Sequence, residues 1–481
     1  MSYAFRALII LALATLGACS KNNEVLNSSQ SDGFAFHLQT ANTILVTDLN
    51  GNPIPDAEVM IGNAVDDPFE GNFLTTDSRG EISIPQEWDK PLSVTAQATG
   101  YLRTTHISVN PGEFVISLSP DNGFDPFEVS GIVDGFGTLP VDKFMDFGMV
   151  VRMLPRQELL SFDLNELISP YSDKLSVFGR EMLIPSNLSL PNQKVMYSFL
   201  TLTFNKPQYR TYTRYLGPQN YYVAQGNFHL QRVGDILQGG GDLFSAINEL
   251  NLTSGAFGQT VVAPKDTKLN MTINQFPINQ TRSGRAPQFS SDEFMVSVLM
   301  ENSNGLFYPT SARSFKSGET QNFTHSGKTN GQIFVSLLGR MQKGATTPTL
   351  SNEFSVAVTD NHGVEFLPLF STPVWSGNEI IASAPSNKNL KPSGVYAVLE
   401  DHKTIDDNGA PVVLVTKRWE IFGENWESNI HLPVWPTPVT MQNKARWAIS
   451  YLANEEELNT PMGHQRLGEA SHLSRNVTEL Q

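Results

Sequence analysis

The chain has 481 residues, with 33 Lys and Arg against 48 Asp and Glu, and a formal charge of −15. An apolar share of 40% is too high for a disordered chain, and so acidic a protein is not built to neutralise nucleic-acid phosphates, so a nucleic-acid partner is excluded. A single Cys allows no internal disulfide and no Cys-rich zinc site, and at about 150 residues per domain the length suggests about three domains.

Arg6 is the only charge before Lys21, and Ala7 to Leu16 is an apolar run. The run is too short to span a bilayer, which takes roughly 20 apolar residues. A short basic start, a short apolar stretch and small residues after it predict a secretory signal peptide over residues 1–18. Its end, Leu16-Gly17-Ala18-Cys19, resembles the bacterial lipobox, with Gly17 as a tolerated departure. The resemblance implies a diacylglyceryl thioether on Cys19, cleavage before that residue and acylation of the new amine. Membrane lipid would then be a partner through the Cys19 acyl chains, each buried methylene contributing about 0.8 kcal/mol. Ser20, where the enterobacterial sorting rule places Asp for retention, implies a lipid anchor in the Gram-negative outer membrane. Residues 19–35 are polar and without periodicity, and read as a flexible tether.

From 36 to 120, short alternating stretches recur every 10–15 residues: Thr43 to Thr47, Ala57 to Ile61, Glu81 to Pro85, Leu92 to Ala96 and Phe114 to Leu118. Turn chemistry separates them, and no helical period appears, which predicts an all-β sandwich. The order Asp48-x-x-Gly51-x-Pro53-Ile54-x-x-Ala57-x-Val59, then Thr76-Asp77-x-x-Gly80, then Gly100-Tyr101 resembles the carboxypeptidase regulatory-like family. That resemblance implies a transthyretin-like, non-catalytic β-sandwich that accompanies another module.

Residues 123–285 read as a β-rich domain of no evident family. Met149 to Leu154 and Val195 to Phe204 are its clearest strands. Tyr209 to Tyr215 alternates, with Tyr209, Thr211, Thr213 and Tyr215 on one face and Arg210, Tyr212 and Arg214 on the other. Exposed Tyr and Arg suit glycan or protein contacts, so Tyr209, Arg210, Tyr212, Arg214 and Tyr215 are candidate ligand-binding residues. The competing reading is a sheet face with aromatic cross-strand pairs. One short helix is expected at Asp242 to Leu250, after the Gly239-Gly240-Gly241 interruption.

Residues 286–453 carry an internal similarity. Ser291 to Val298 overlays Ser351 to Val358, and Gly305 to Pro309, Ser317 to Glu319 and Ile333 to Leu337 find counterparts at a nearly constant offset. This predicts a β-sandwich region with an internal repeat. Residues 454–481 are polar and read as a loosely held tail.

Searches for chemistry find no His-Glu-x-x-His pair, no Gly-x-Ser-x-Gly elbow and no calcium-loop spacing. Asp401-His402 reads as turn chemistry. No catalytic residues, metal ligands or cofactor are expected. The sequence thus predicts tandem all-β sandwich modules with one short helix, in a non-catalytic envelope lipoprotein that binds a glycan or protein or acts structurally. The alternative is an envelope hydrolase acting on glycan or cell wall through dispersed carboxylates.

Overall fold

The computed structural model describes residues 42–121, 123, 127–135, 144–160, 172–177, 180–185, 196–200, 208–213, 215–239, 246–273, 275–328, 331–341, 350–360, 364–407, 410–439, 441 and 444–480. They form an all-β protein of several sheets, with short helices at Leu230–Gln238 and His464–Glu469. The chain divides into two compact units. One is drawn from Asp125–Phe366 and Thr404–Val413, the other from Asn22–Phe124, Leu367–Lys403 and Leu414–Gln481.

In the second unit, strands Glu81–Ser83, Thr43–Asp48 and Phe114–Leu118 make a three-stranded sheet. A larger sheet runs Phe73–Thr75, Glu58–Ile61, Leu92–Gln97, Arg103–Val109, positions 414–423 of strand Ala410–Gly423, positions 391–403 of strand Lys391–Asp407, Lys444–Asn454 and His472–Glu479. Ile44, Val46, Ile116 and Leu118 from the small sheet meet Val59, Ile61, Val94 and Ala96 from the large one in a single core. This is a sandwich, and alternation along each strand turns one set of side chains into that core, while Thr43–Asp48 and Arg103–Val109 are buried over most of their other face as well.

The turn residues have specific duties. Asp48 accepts hydrogen bonds from the backbone N–H of Asn50 and Asn52, and Asp77 from those of Arg79 and Glu81. Gly80 has φ +72°, and a Cβ there would lie 2.7 Å from the Val46 carbonyl. Gly80→Ala is therefore expected to cost about 2 kcal/mol, from left-handed strain plus that contact. Thermal unfolding of the variant checks this, and an unchanged midpoint would refute it.

The sheet continues past this sandwich. Trp419 pairs in parallel register with Arg103, and Gly423 with Ile107. On one face of the continuation Leu399, Trp419, Ile421, Trp447, Ile449 and Tyr451 form a second core. Ile380 and Ile430 join it from a small sheet of Val374–Ser376, Glu379–Ile381 and Asn429–His431. Each large side chain so buried contributes about 1.5–3 kcal/mol.

Two expectations need correction here. Residues 36–120 do not stand apart as a separate module, because their strands share a sheet with strands from 391–479. Nor is 454–481 a loose tail: His472–Glu479 pairs along Lys444–Asn454 and is buried over most of its length. Several of its polar residues bond internally. Ser474 donates to the Pro368 carbonyl, Asn476 to the Phe370 carbonyl, and Arg475 to Glu400. A polar composition had concealed a strand whose Leu473 and Val477 are core residues.

In the first unit, a five-stranded sheet runs Met196–Leu200, Phe144–Arg152, Gly217–His229, Leu250–Val262 and Phe276–Pro277. A second sheet runs Leu154–Pro155, Leu306–Phe315, Glu293–Ser303, Gln332–Met341 and Leu350–Thr359. A helix at Leu230–Gln238 lies ahead of the glycines and was not expected. Of the expected Asp242–Leu250 helix, residues 242–245 fall outside the described residues, Ala246 and Ile247 are helical, and Leu250 opens a strand.

The internal similarity has a local cause. Phe294 and Phe354 sit opposite each other across Gly339, and Val296 and Val356 across Leu337. The two look-alike segments flank one strand and meet the same packing environment. Beyond them the likeness ends: Leu306–Phe315 is a strand, whereas residues 364–373 are not, and Val395–Leu399 belongs to the other unit. Among the described residues, these positions do not form a duplicated module.

Candidate functional site

Strand Ala410–Gly423 sends Trp419 and Ile421 into the second core, which leaves Glu420 and Phe422 on the opposite face. Strand Lys391–Asp407 does the same with Val395, Ala397 and Leu399, leaving Tyr396 beside Glu420. The Glu420 carboxylate is wholly buried and fully engaged. Its Oε1 accepts from the Tyr396 hydroxyl at 2.5 Å and from Lys417 Nζ at 2.8 Å. Its Oε2 accepts from Ser119 Oγ at 2.7 Å and lies 3.4 Å from His464 Nε2. Lys417 Nζ also donates to the Tyr396 oxygen at 2.7 Å. Phe422 stacks between this group and His106, with ring centroids 5.1 Å apart on each side, and meets His464 edge-on.

The electrostatics follow from that geometry. Burial alone would raise the Glu420 pKa, but the Lys417 and His464 charges and the Lys417 and Tyr396 hydrogen bonds outweigh it. The carboxyl is held well below its usual range. Burial pushes the Tyr396 phenol well up, and the neighbouring Glu420 charge adds to this. Burial pushes the His464 imidazole down, against the pull of Glu420. His106 is pushed down to about 3 by burial and by His464, with Glu420 opposing.

Ser119 Oγ lies 3.1 Å from His464 Nε2, so Ser, His and Glu are all present. They are not arranged as a nucleophilic triad. A triad needs the serine to donate to one imidazole nitrogen and the acid to hold the other. Here Ser119 donates to Glu420, and the carboxylate stands on the same Nε2 side of the ring. What the arrangement does is fix a buried charge pair, Lys417 and Glu420, in one position.

A second charged centre lies on the same strands. Glu400 accepts from Arg446 Nε at 2.9 Å and from Arg475 at 2.8 Å, with His402 Nε2 at 3.3 Å. Arg418 lies 3.5 Å from Asp401 and 3.4 Å from Asp121. Asp401 and His402, expected in a turn, lie within a strand. Sequence reasoning missed Ser119, Tyr396, Lys417, Glu420 and His464. The available signal was charge embedded in apolar strand runs, as in Arg418-Trp419-Glu420-Ile421-Phe422.

The candidate ligand residues take a different position from the one expected. Tyr209 is buried and donates to the Leu269 carbonyl at 2.6 Å. Tyr215 is buried and donates to Glu158 Oε1 at 3.2 Å, with Arg152 stacked over its ring and bonded to Glu158. Alternation put these two on the inner face, so neither offers an exposed aromatic surface. Arg210 and Tyr212 lie in strand Gln208–Thr213, but their side chains, like the whole of Arg214, lie outside the described residues. So does Cys19.

Among the described residues, no three His, Cys, Asp or Glu side chains converge to hold a metal, and no helix is long and apolar enough to cross a membrane. No known protein family and no curated protein matches this chain.

Proposed function

We propose that this protein is a non-catalytic envelope lipoprotein, a binding or structural module held at the outer membrane by acyl chains on Cys19. The observation that supports the non-catalytic reading is the closure of the Glu420 centre. Both carboxylate oxygens are occupied by Tyr396, Lys417 and Ser119, and the His464 nitrogen facing Ser119 also faces the carboxylate. Glycan hydrolysis needs one carboxyl kept protonated by a raised pKa beside a second that is ionised. The environment of Glu420 acts in the opposite sense. The resemblance of Leu16 to Cys19 to a lipobox supports the anchor. The carboxypeptidase regulatory-like spacing through Gly80 and Tyr101 supports an accessory rather than catalytic role.

Labelling cells with a fatty-acid precursor tests the anchor. The protein should carry label and fractionate with membranes. Cys19→Ala should lose the label and leave the membrane fraction. Label retained on the substituted protein would remove the anchor from this reading.

A further inference from the structure

Across the large sheet of the second unit, one row of cross-strand neighbours reads Glu58, Gln97, Arg103 and Trp419. Arg103 is 4% exposed, a depth at which a guanidinium normally has a carboxylate partner. It makes no ion pair with any described carboxylate. Its charge is instead held between two indoles, 5.0 Å from the Trp419 ring centroid and 5.1 Å from that of Trp435.

The guanidinium is also fixed in orientation. Nε donates to Gln97 Oε1 at 2.9 Å, and one terminal nitrogen donates to the Thr437 carbonyl at 2.6 Å. Trp419 is locked in turn by its Nε1 donating to Thr105 at 2.9 Å. That leaves the other terminal nitrogen of Arg103 with no partner among the described residues. The Trp435 ring is buried, packs edge-on against Phe73 at 5.4 Å, and its Nε1–H also lacks a partner. Glu58, Pro436 and Thr437 around this cluster are exposed, and Gln97 and Phe73 are half-buried, so it lies near the surface.

We propose that Arg103 and Trp435 form an oxyanion site that takes the carboxylate or phosphate group of an acidic sugar. An oriented guanidinium with a free nitrogen favours oxygen anions, and an unpartnered indole N–H adds a second donor. A buried cation without a counter-ion is costly, and a bound oxyanion removes that cost. The same row carries its own regulator. Glu58 is exposed and its charge acts on Arg103 without contacting it, so it opposes the incoming anion. This inference rests on the binding-module reading and names its ligand class.

The test uses the full chain in detergent micelles with its six Trp residues labelled at the indole nitrogen. Phosphate, glucuronate and glucose 6-phosphate are titrated in at constant ionic strength, with chloride as control. The Trp435 indole N–H should shift saturably with an oxyanion and not with chloride. Preference for glucuronate or for phosphate identifies which acidic group the site takes. Trp435→Phe keeps the stacked ring but removes the reporting N–H; its affinity, read by isothermal titration calorimetry beside the unsubstituted protein, should be several-fold weaker. Arg103→Gln should weaken it by about tenfold or more. Glu58→Gln, on the surface, should tighten it by about two- to threefold. Absence of a saturable shift, an equal shift with chloride, or affinities unchanged by Glu58→Gln and Trp435→Phe would overturn the proposal. Any of these with Cys19 still lipid-labelled leaves the anchor reading standing.

Discussion

Glu400→Gln is expected to lower the stability of the protein by about 3–5 kcal/mol, among the largest effects of any single substitution here. Glu400 holds two arginines, Arg446 and Arg475, and all three side chains are less than one-tenth exposed. Removing the carboxylate charge takes from two buried guanidinium groups the carboxylate that both of them bond. Desolvation of such ions costs several kcal/mol each when unpaired. The hydrogen-bonding capacity of Gln does not replace the charge. Urea unfolding measures the loss. The effect should be local at first, because Arg475 lies in the terminal strand His472–Glu479. Amide exchange in that strand should accelerate before exchange in Lys391–Asp407. A single-substitution loss below about 1 kcal/mol would mean that the cluster is hydrated and not a buried network.

The same cluster explains what the sequence could and could not reveal. Period-two alternation exposed the strands at Thr43 to Thr47, Leu92 to Ala96 and Phe114 to Leu118, because their inner faces are uniformly apolar. The turn at Asp77 to Gly80 was legible because its chemistry is local: a side-chain acceptor, then a glycine with positive φ. His472–Glu479 was not legible, because its inward positions include Arg475, and burial of an arginine depends on Glu400, 75 positions away. Pairing of Arg103–Val109 with Ala410–Gly423 was equally hidden. Alternation says which face of a strand is buried and says nothing about which distant strand lies beside it. The Tyr209 to Tyr215 stretch shows the same limit from the other side. Its alternation assigned Tyr209 and Tyr215 to one face, and both are buried, but that they are not wet was decided by Leu269 and Glu158, which sequence spacing does not bring near.

Acid should destabilise the second unit well above the pH at which ordinary carboxylates titrate, and His106 should set the onset. Its imidazole is buried, stacked on Phe422 at 5.1 Å and edge-on to Phe114 at 4.9 Å. Burial, with His464 adding and Glu420 opposing, lowers its pKa from 6.5 to about 3. The folded state therefore binds fewer protons than the unfolded chain throughout that interval, so stability falls as pH falls. The contribution is fully present above pH 6.5 and is lost progressively down to about pH 3. The slope approaches 1.4 kcal/mol per pH unit, about 3 kcal/mol by pH 4. His464, also lowered by burial, acts in the same direction. Glu420, held low by Lys417, His464 and Tyr396 against its burial, adds its loss only once the pH enters the carboxylate range. His106→Phe keeps an aromatic ring against Phe422 and Phe114 and removes the proton site. Urea midpoints at pH 7, 6, 5 and 4 should fall less steeply in the variant, by close to one proton's worth of slope. Parallel pH profiles for the two proteins would show that His106 takes up its proton in the folded state without cost, and that the ring is reached by water.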